Sequence, residues 1–186
     1  GRACALALGQ AGAETVLVSR TLSELQEVED TIRAGGGIAS SIECDVTDAG
    51  QVGATIGQLD RIDVLVNGAG INIPEPFLNV TEDHFDQTMS LNVKAAFVVS
   101  QTVVRRMRAT GSGGAIINIS SQMGHVGAPN RIVYCTSKHA IEGMTKAMAV
   151  ELAPDGIRVN SIAPTFILTP MTEPFFEDQE FRKDTI

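Results

Sequence analysis

The sequence predicts a doubly wound α/β fold, in which helices cover both faces of a parallel β-sheet. Short runs of β-branched and other apolar residues alternate with stretches of helical periodicity, the order expected when helices connect parallel strands. These runs are apolar on both faces, so helices must cover the sheet on both sides. The 186 residues suit one domain, and we expect residues 1–186 to form it.

Each element is justified by its local sequence. The first predicted helix covers 1–11 and ends at Gly12; a second begins near Leu22 and ends at three glycines, 35–37. A short helix is expected after Asp48. Thr81 is a good N-cap residue for a long helix that continues to about Arg108. A last helix is predicted over 133–153, and a loop over 111–114. The predicted strands are 15–19, 38–44, 63–67, 115–120 and 157–162.

Composition excludes several classes of function. The net charge of −8 argues against a nucleic-acid-binding surface of clustered Lys and Arg. No apolar run reaches the ~20 residues that span a bilayer, and no secretory signal is recognisable. The three cysteines, Cys4, Cys44 and Cys135, have neither zinc-site nor redox-pair spacing. We therefore expect reduced thiols, no metal site and a cytoplasmic location.

Tyr134 and Lys138 are the first candidates for chemistry. Residues i and i+4 share one face of a helix, so the phenol and the ammonium should point the same way. A nearby cation favours phenolate and lowers the pKa of a tyrosine, which makes the pair a candidate general acid/base. The alternative is a packed Tyr beside a solvated Lys.

Polar residues follow four predicted strands. Ser121 comes after the strand 115–120, Asn67 ends the strand 63–67, Asp45 follows 38–44, and Ser19-Arg20 follow another. Parallel α/β sheets bind ligands beyond the carboxyl ends of their strands. Together with Tyr134, thirteen residues after Ser121, these positions predict one site at that edge of the sheet.

The motifs that carry this chemistry resemble those of the short-chain dehydrogenase/reductase family, in its single-domain form, over nearly the whole chain. NGAG at 67–70 is similar to the family's Asn-Asn-Ala-Gly, with Gly68 in place of the second Asn. Residues 164–169 are similar to its Pro-Gly-x-x-x-Thr segment, with Thr165 in place of Gly, a variation associated with the carbonyl and xylulose reductase branch. Leu91-Asn92-Val93 contains the family's Asn. The implied catalytic residues are Asn92, Ser121, Tyr134 and Lys138.

The resemblance implies a Rossmann-type sheet and hydride transfer between a nicotinamide cofactor and a ketone or secondary alcohol. Tyr134 would exchange the proton, Ser121 would hydrogen-bond the carbonyl oxygen, Lys138 would hold the ribose, and Asn92 would order a relay water. Ser120 as the catalytic serine and Asn92 as a merely structural residue are the alternatives. The implied cofactor-binding residues are Gly1, Ser19, Arg20, Asp45, Val46, Asn67, Ala69, Gly70, Tyr134, Lys138, Pro164, Ile167 and Thr169.

Cofactor choice depends on the end of the strand 15–19. An acidic residue there marks NAD, whereas an Arg accommodates the 2′-phosphate of NADP. Ser19 and Arg20 occupy this place, so NADP(H) is favoured and NAD(H) is the alternative. Asp45 would bind the adenine amino group, unless it only caps the strand end.

The substrate is left open by the sequence. A keto sugar or polyol, a small carbonyl compound and a 3-oxoacyl carrier-protein thioester all fit the family, and a catalytically silent dinucleotide-binding regulator is the alternative of another class. The resemblance implies a homotetramer or homodimer, assembled through the two long helices. It also implies a substrate lid at 170–181. Phe166, Met171, Phe175 and Phe176 either form an apolar wall of the substrate pocket or are ordinary packing residues, and His125 either borders the substrate or is solvated.

Two parts of the family pattern are not found. The glycine-rich motif is represented only by its last glycine, Gly1, and the strand before it is missing; so is the family's C-terminal strand. Because that first strand lies in the middle of the sheet, the strands 15–19 and 63–67 should flank a gap. The expectation is a chain truncated at both ends.

Overall fold

The computed structural model describes residues 1–169, 172, 173 and 177. Its strands are all parallel and lie in two sheets, with β1 beside β2 and with β4 between β3 and β5. This confirms the parallel α/β class, and β1 and β3 belong to separate sheets, as expected for strands that flank a gap. The strands are β1 (Thr15–Ser19), β2 (Ala39–Glu43), β3 (Val64–Asn67), β4 (Gly114–Ile119) and β5 (Ile157–Ile162).

Helices connect the strands, and most begin and end within a residue or two of the predicted positions. Asp48 caps the third helix by accepting hydrogen bonds from the amides of Gly50 and Gln51. Thr81 caps the fourth helix through the amide of His84, as predicted. The helices are α1 (Arg2–Gln10), α2 (Leu22–Ala34), α3 (Ala49–Gly57), α4 (Glu82–Met89), α5 (Ala96–Thr110) and α6 (Ile132–Leu152).

Two sequence predictions were wrong in detail. The single long helix from Thr81 to about Arg108 is divided, because Ser90–Ala95 form a π-helical turn between α4 and α5. Apolar periodicity does not reveal one extra residue in a helical turn, and such turns are frequent at functional sites. Gly114, predicted to lie in a loop, is the first residue of β4, where its amide bonds the carbonyl of Gly156.

The core consists of two clusters, one on each sheet. The larger packs α3, α5 and α6 against β4 and β5, with Met107 and Ile116 both fully buried. The smaller joins β1 and β2 to α2 around Ile32. Glycine is needed beside Ile32, since a Cβ on Gly9 would lie 2.7 Å from its side chain. These clusters hold the strands that position the site.

The carboxyl ends of β3, β4 and β5 meet at one edge of the larger sheet. Asn67 is in register with Asn118, and Ile119 is in register with Ile162. The pairing continues past β4, because the Ser120 amide bonds the Ile162 carbonyl and the Gln122 amide bonds the Pro164 carbonyl. The segments after all three strands therefore lie side by side.

No helix within the described part of the chain is long and apolar enough to cross a membrane.

Candidate active site

Ser121 and Tyr134 line the same small cavity, of about 60 Å³, at this edge of the sheet. Ser121 follows β4 and accepts a hydrogen bond from the Met123 amide, which fixes its hydroxyl at the start of a short 3-10 turn. Tyr134 lies in the first turn of α6. The lining residues are Asn72, Ser121, Gln122, Met123, Arg131, Tyr134, Thr165, Phe166 and Thr172. The predicted serine and tyrosine are thus brought together.

The acidity of Tyr134 differs from the sequence expectation. Burial raises the pKa of Tyr134, and this effect outweighs the lowering by the Ser121 hydroxyl and by the charge of Arg131. The charge of Lys138 does not decide the direction of this pKa shift, because its Nζ lies 5.6 Å from the centre of the Tyr134 ring. The phenol is therefore held in its protonated form, as a proton donor must be.

Lys138 is buried on the same face of α6, as its spacing predicted. Its Nζ donates a hydrogen bond of 2.8 Å to the carbonyl of Ile119 at the end of β4. Burial lowers the pKa of Lys138 to about 8. An ammonium that titrates near neutral pH can hold a ligand hydroxyl and also take part in proton movement.

Asn92 lies in the π-helical turn and is 2% exposed. Its Oδ1 accepts from the Ile71 amide, and its Nδ2 donates to the Ile71 carbonyl and to Ser137 Oγ. The side chain therefore binds the loop after β3 to α6. Sequence reasoning identified Asn92 but found neither Ser137 nor the turn.

Asn67 also belongs to a buried polar network. Its Nδ2 donates to Ser100 Oγ and to Asn118 Oδ1, both at 2.9 Å. Asn118 in turn donates to Thr145 Oγ1. The partner residues were missed because nothing in the sequence shows which polar groups of β4, α5 and α6 face one another. The network fixes the end of β3, after which the predicted binding residues Ala69 and Gly70 follow.

The geometry around Gly70 and Gly1 fits a dinucleotide. A Cβ on Gly70 would lie 3.2 Å from Asn92 Oδ1 and 3.8 Å from Lys138 Nζ, so a side chain there would crowd these two groups. A Cβ on Gly68 would lie 3.8 Å from the Gly1 Cα, which places the N-terminus of α1 beside the end of β3. A helix N-terminus at strand ends suits a pyrophosphate.

The smaller sheet carries the residues predicted to choose the cofactor. Arg20 follows β1 and is exposed, and the Ser19 hydroxyl accepts from the Thr21 amide. Asp45 follows β2, and its Oδ1 accepts from the amide and the hydroxyl of Thr47. These bonds, more than the charge of Arg20, lower the pKa of Asp45. Asp45 therefore caps its turn with one oxygen, and Val46 lies within that turn.

The segment after β5 is described only in part. The Pro164 carbonyl accepts from the Gln122 amide, beside Ser121. Thr172 Oγ1 donates to the carbonyl of Ile167 and accepts from the amide of Thr169. The predicted lid residues Met171, Phe175 and Phe176 lie outside the described residues.

His125 contacts a group that the sequence did not reveal. Its Nε2 lies 3.6 Å from Oε1 of Glu142, a buried carboxylate one turn beyond Lys138 on α6. Burial raises the pKa of Glu142, but Ser120, Ser161 and the charges of His125 and Lys146 together lower it. Ser120 faces this carboxylate, whereas Ser121 faces the cavity that Tyr134 also lines.

Comparison with known proteins agrees with this geometry. The family model described as short chain dehydrogenase matches residues 1–180. L-xylulose reductase of Bos taurus is 39% identical over 183 residues, which are 98% of this chain and 73% of that protein. Carbonyl reductase [NADPH] 2 of Sus scrofa is 37% identical over 186 residues, with 98% and 73% covered.

Solved structures agree as well. The crystal structure of a gluconate 5-dehydrogenase from Burkholderia cenocepacia J2315, in complex with NADP and tartrate, superposes with a TM-score of 0.90 at 32% identity. The match covers 97% of this chain and 73% of that chain. The chain therefore belongs to the short-chain dehydrogenase/reductase family, whose members bind NAD(P), and it is an oxidoreductase that acts on carbonyl and alcohol groups of small molecules.

Proposed function

We propose that the chain is an NADP(H)-dependent reductase of a keto sugar, a polyol-derived ketone or a small carbonyl compound, with Tyr134 as its general acid/base. The observation that supports this most directly is the common cavity of Ser121 and Tyr134, with Lys138 buried behind them. Because all four predicted catalytic residues are present, a catalytically silent regulator is the less favoured function. Relatives named as reductases of L-xylulose and D-erythrulose favour keto sugars over acyl thioesters.

In this proposal the side chains have distinct tasks. The bound cofactor supplies the hydride. Tyr134 donates its phenolic proton to the carbonyl oxygen of the substrate, and the Ser121 hydroxyl donates a hydrogen bond to that oxygen. Lys138 holds the ribose hydroxyls and returns a proton to Tyr134. Its pKa of about 8 allows this exchange near neutral pH.

Asn92 acts in this proposal through its position. Its amide is already bonded to Ile71 and Ser137, so the side chain fixes the turn. Both hydrogens of the Asn92 amide group have partners within the chain, so in this proposal the backbone carbonyl of Asn92 would bind the relay water. Asn92 therefore keeps its predicted role of ordering a relay water, but through its backbone rather than its side chain.

The remaining predicted residues would complete the cofactor site. Gly1 would let the backbone approach the pyrophosphate, Asn67, Ala69 and Gly70 would line the dinucleotide, and Asp45 and Val46 would hold adenine. Pro164, Ile167 and Thr169 would hold the carboxamide. Ser19 and Arg20 would hold the 2′-phosphate; Arg20 is exposed at the end of β1, where its fork could form two charge-assisted hydrogen bonds.

Assembly through α5 and α6 is part of the proposal. Phe97 on α5 is 51% exposed and Val150 on α6 is 79% exposed, so each long helix presents a large apolar side chain that a second subunit could cover. A homotetramer or homodimer that covers them is expected, and sedimentation of the purified chain measures it.

Replacement of Tyr134 by Phe tests the catalytic role. The variant keeps the ring and its packing but cannot donate a proton, so turnover of any ketone should fall by at least about 100-fold. NADPH binding, followed by fluorescence titration, should change little. Cys135→Ser, one position along α6, is the matched control and should keep activity. A Tyr134→Phe variant with normal turnover would refute the assignment.

Replacement of Arg20 by Gln tests the cofactor choice. Loss of charge-assisted hydrogen bonds to the 2′-phosphate should weaken NADPH about 10- to 100-fold and leave NADH nearly unchanged. Arg33→Gln, on α2, controls for loss of charge. A wild-type preference for NADH, or equal weakening of both cofactors, would contradict NADP(H) specificity.

A further inference from the structure

Glu142 is a buried carboxylate that the proposed reaction does not use. It lies on α6, one turn after Lys138, and is 6% exposed. Its Oε2 accepts a 3.0 Å hydrogen bond from the Ser161 hydroxyl on β5. Its Oε1 is buried and forms no hydrogen bond of normal geometry with any described residue. One oxygen of the carboxylate thus links α6 to β5, and the other is left for a further donor.

The turn that carries Ser121 meets this carboxylate at both of its ends. Before Ser121, the buried hydroxyl of Ser120 also lacks a hydrogen bond of normal geometry within the described part of the chain. A Cβ on Gly124 would lie 2.9 Å from Ser120 Oγ and 3.0 Å from Glu142 Cγ, so both side chains pack against this glycine. After Ser121, the Nε2 of His125 lies 3.6 Å from Glu142 Oε1. Ser121 therefore lies between two residues that face one carboxylate.

The charge of Glu142 suits it to hold donors from these segments. Burial raises its pKa, but the two serine hydroxyls and the charges of His125 and Lys146 outweigh burial, so the group is ionised at neutral pH. An ionised carboxylate forms stronger hydrogen bonds than a neutral acceptor does. Packing alone does not require it, since an apolar side chain of similar volume fills such a space without removing a charge from water. The charge of this side chain, rather than its volume, therefore indicates a role.

The direction of the Ser121 hydroxyl depends on the same turn. The hydroxyl accepts a 3.2 Å hydrogen bond from the Met123 amide, so it follows the backbone of the turn. On one side, backbone hydrogen bonds to β5 and to the segment after it hold the turn. On the other side the turn packs against α6, where the Glu142 carboxylate faces its two ends. Tyr134 also lies on α6, so a shift of the turn relative to this helix would move Ser121 relative to Tyr134.

We propose that Glu142 is a positioning residue: its carboxylate holds the turn at 120–125 against α6 and so fixes the Ser121 hydroxyl relative to the Tyr134 phenol. This inference rests on the proposed reductase function, because it assigns Glu142 to the same site.

Replacement of Glu142 by Gln tests the inference through turnover. The variant keeps the size of the side chain and an acceptor for Ser161 but loses the charge. With NADPH and L-xylulose, kcat should fall about 10- to 100-fold, whereas the NADPH affinity from fluorescence titration should change less than about twofold. Glu142→Met, which fills the space without a charge, should show the same loss. Glu151→Gln is the matched control at an exposed position of α6 and should behave as the wild type.

A double-variant cycle separates positioning from a general structural role. In a Ser121→Ala chain the hydroxyl is absent, so adding Glu142→Gln should lower kcat by less than about twofold. A further loss as large as that in the wild-type background would show that Glu142 does not act through Ser121, and it would overturn the proposal. Wild-type kcat in Glu142→Gln would overturn it as well. The thermal midpoint of each variant shows that it is folded.

Amide hydrogen exchange tests the same inference without turnover. The amides of Ser120, Gln122 and Gly124 are hydrogen-bonded within or beside the turn. In Glu142→Gln they should exchange at least about 5-fold faster, because the turn opens from α6 more readily, while the bonded Cys44 amide beside the smaller sheet should not change. Unchanged exchange of the turn, or an equal acceleration at Cys44, would refute the positioning role. Faster exchange confined to the turn, in a chain that reduces no ketone, would support that role and contradict the proposed function.

Discussion

Replacement of the buried Lys138 by Met should remove an unfavourable contribution to the folding free energy, the cost of burying a charged amine. Lys138 is 5% exposed and burial lowers its pKa from 10.5 to about 8, so charging its amine is harder in the folded chain than in the unfolded chain. Met has a similar length and no charge. The variant should lose activity, because Lys138 belongs to the proposed catalytic set. The unfavourable charging contribution to its free energy of folding should disappear.

The size of the effect follows from the pKa change. At about 1.36 kcal/mol per pKa unit, a shift from 10.5 to about 8 corresponds to roughly 3 kcal/mol. Below pH 8 the lysine is protonated in both states and the folded state bears the full cost. Between pH 8 and 10.5 only the unfolded chain keeps the proton, so the stability of the wild type rises with pH relative to a variant without the amine.

The measurement is the free energy of unfolding in urea at pH 7 and at pH 10 for both proteins. The stability of Lys138→Met minus that of the wild type should fall by about 2 to 3 kcal/mol between the two pH values. Loss of the hydrogen bond to the Ile119 carbonyl shifts this difference equally at both pH values, to first approximation. Lys146→Met, at an exposed position of α6, is the matched control for loss of a lysine charge. A constant difference for Lys138→Met would refute the reasoning.

Three further predictions concern stability in urea. Met107→Ala should cost about 2 to 5 kcal/mol, because Met107 is fully buried between α5 and the sheet; a loss below about 1 kcal/mol would contradict this packing. Gly113→Ala should cost more than Gly111→Ala: both have positive φ, but only at Gly113 would a Cβ meet a backbone oxygen, that of Gly156, at 2.7 Å. Asn118→Leu should cost about 1 to 3 kcal/mol by leaving its partners unpaired, and a cycle with Thr145→Val should be non-additive; additive losses would deny the network.

Local patterns were sufficient for most of the fold. The strands at 15–19 and 157–162 were predicted to the residue, since turn signals bound each apolar run closely. The N-caps Asp48 and Thr81 could also be recognised, because a cap is formed within one turn of chain. The π-helical turn at Ser90–Ala95 could not, because its stabilising bonds run from Asn92 to Ile71 and Ser137, distant in sequence.

In the candidate site too, some features could be predicted from local sequence and others could not. Its main residues were found because motif spacing carries them: Tyr134 and Lys138 share a helix face, and Ser121 follows a strand. Their electrostatics were not found. The expected lowering of the Tyr134 pKa by Lys138 is replaced by a rise, since burial acts on the phenol more strongly than a cation 5.6 Å from the ring centre.

By itself, then, the sequence determined the α/β class, the order of strands and helices, and the residue types that are proposed to act on a carbonyl. These depend on side-chain periodicity and on motifs a few residues long. Only the tertiary structure decided how Arg131 faces Tyr134, how Asn118 joins Asn67 to Thr145, and how deeply Lys138 is buried. Burial and long-range hydrogen bonds depend on which surfaces meet when the chain folds, and that information is spread over segments that no local pattern connects.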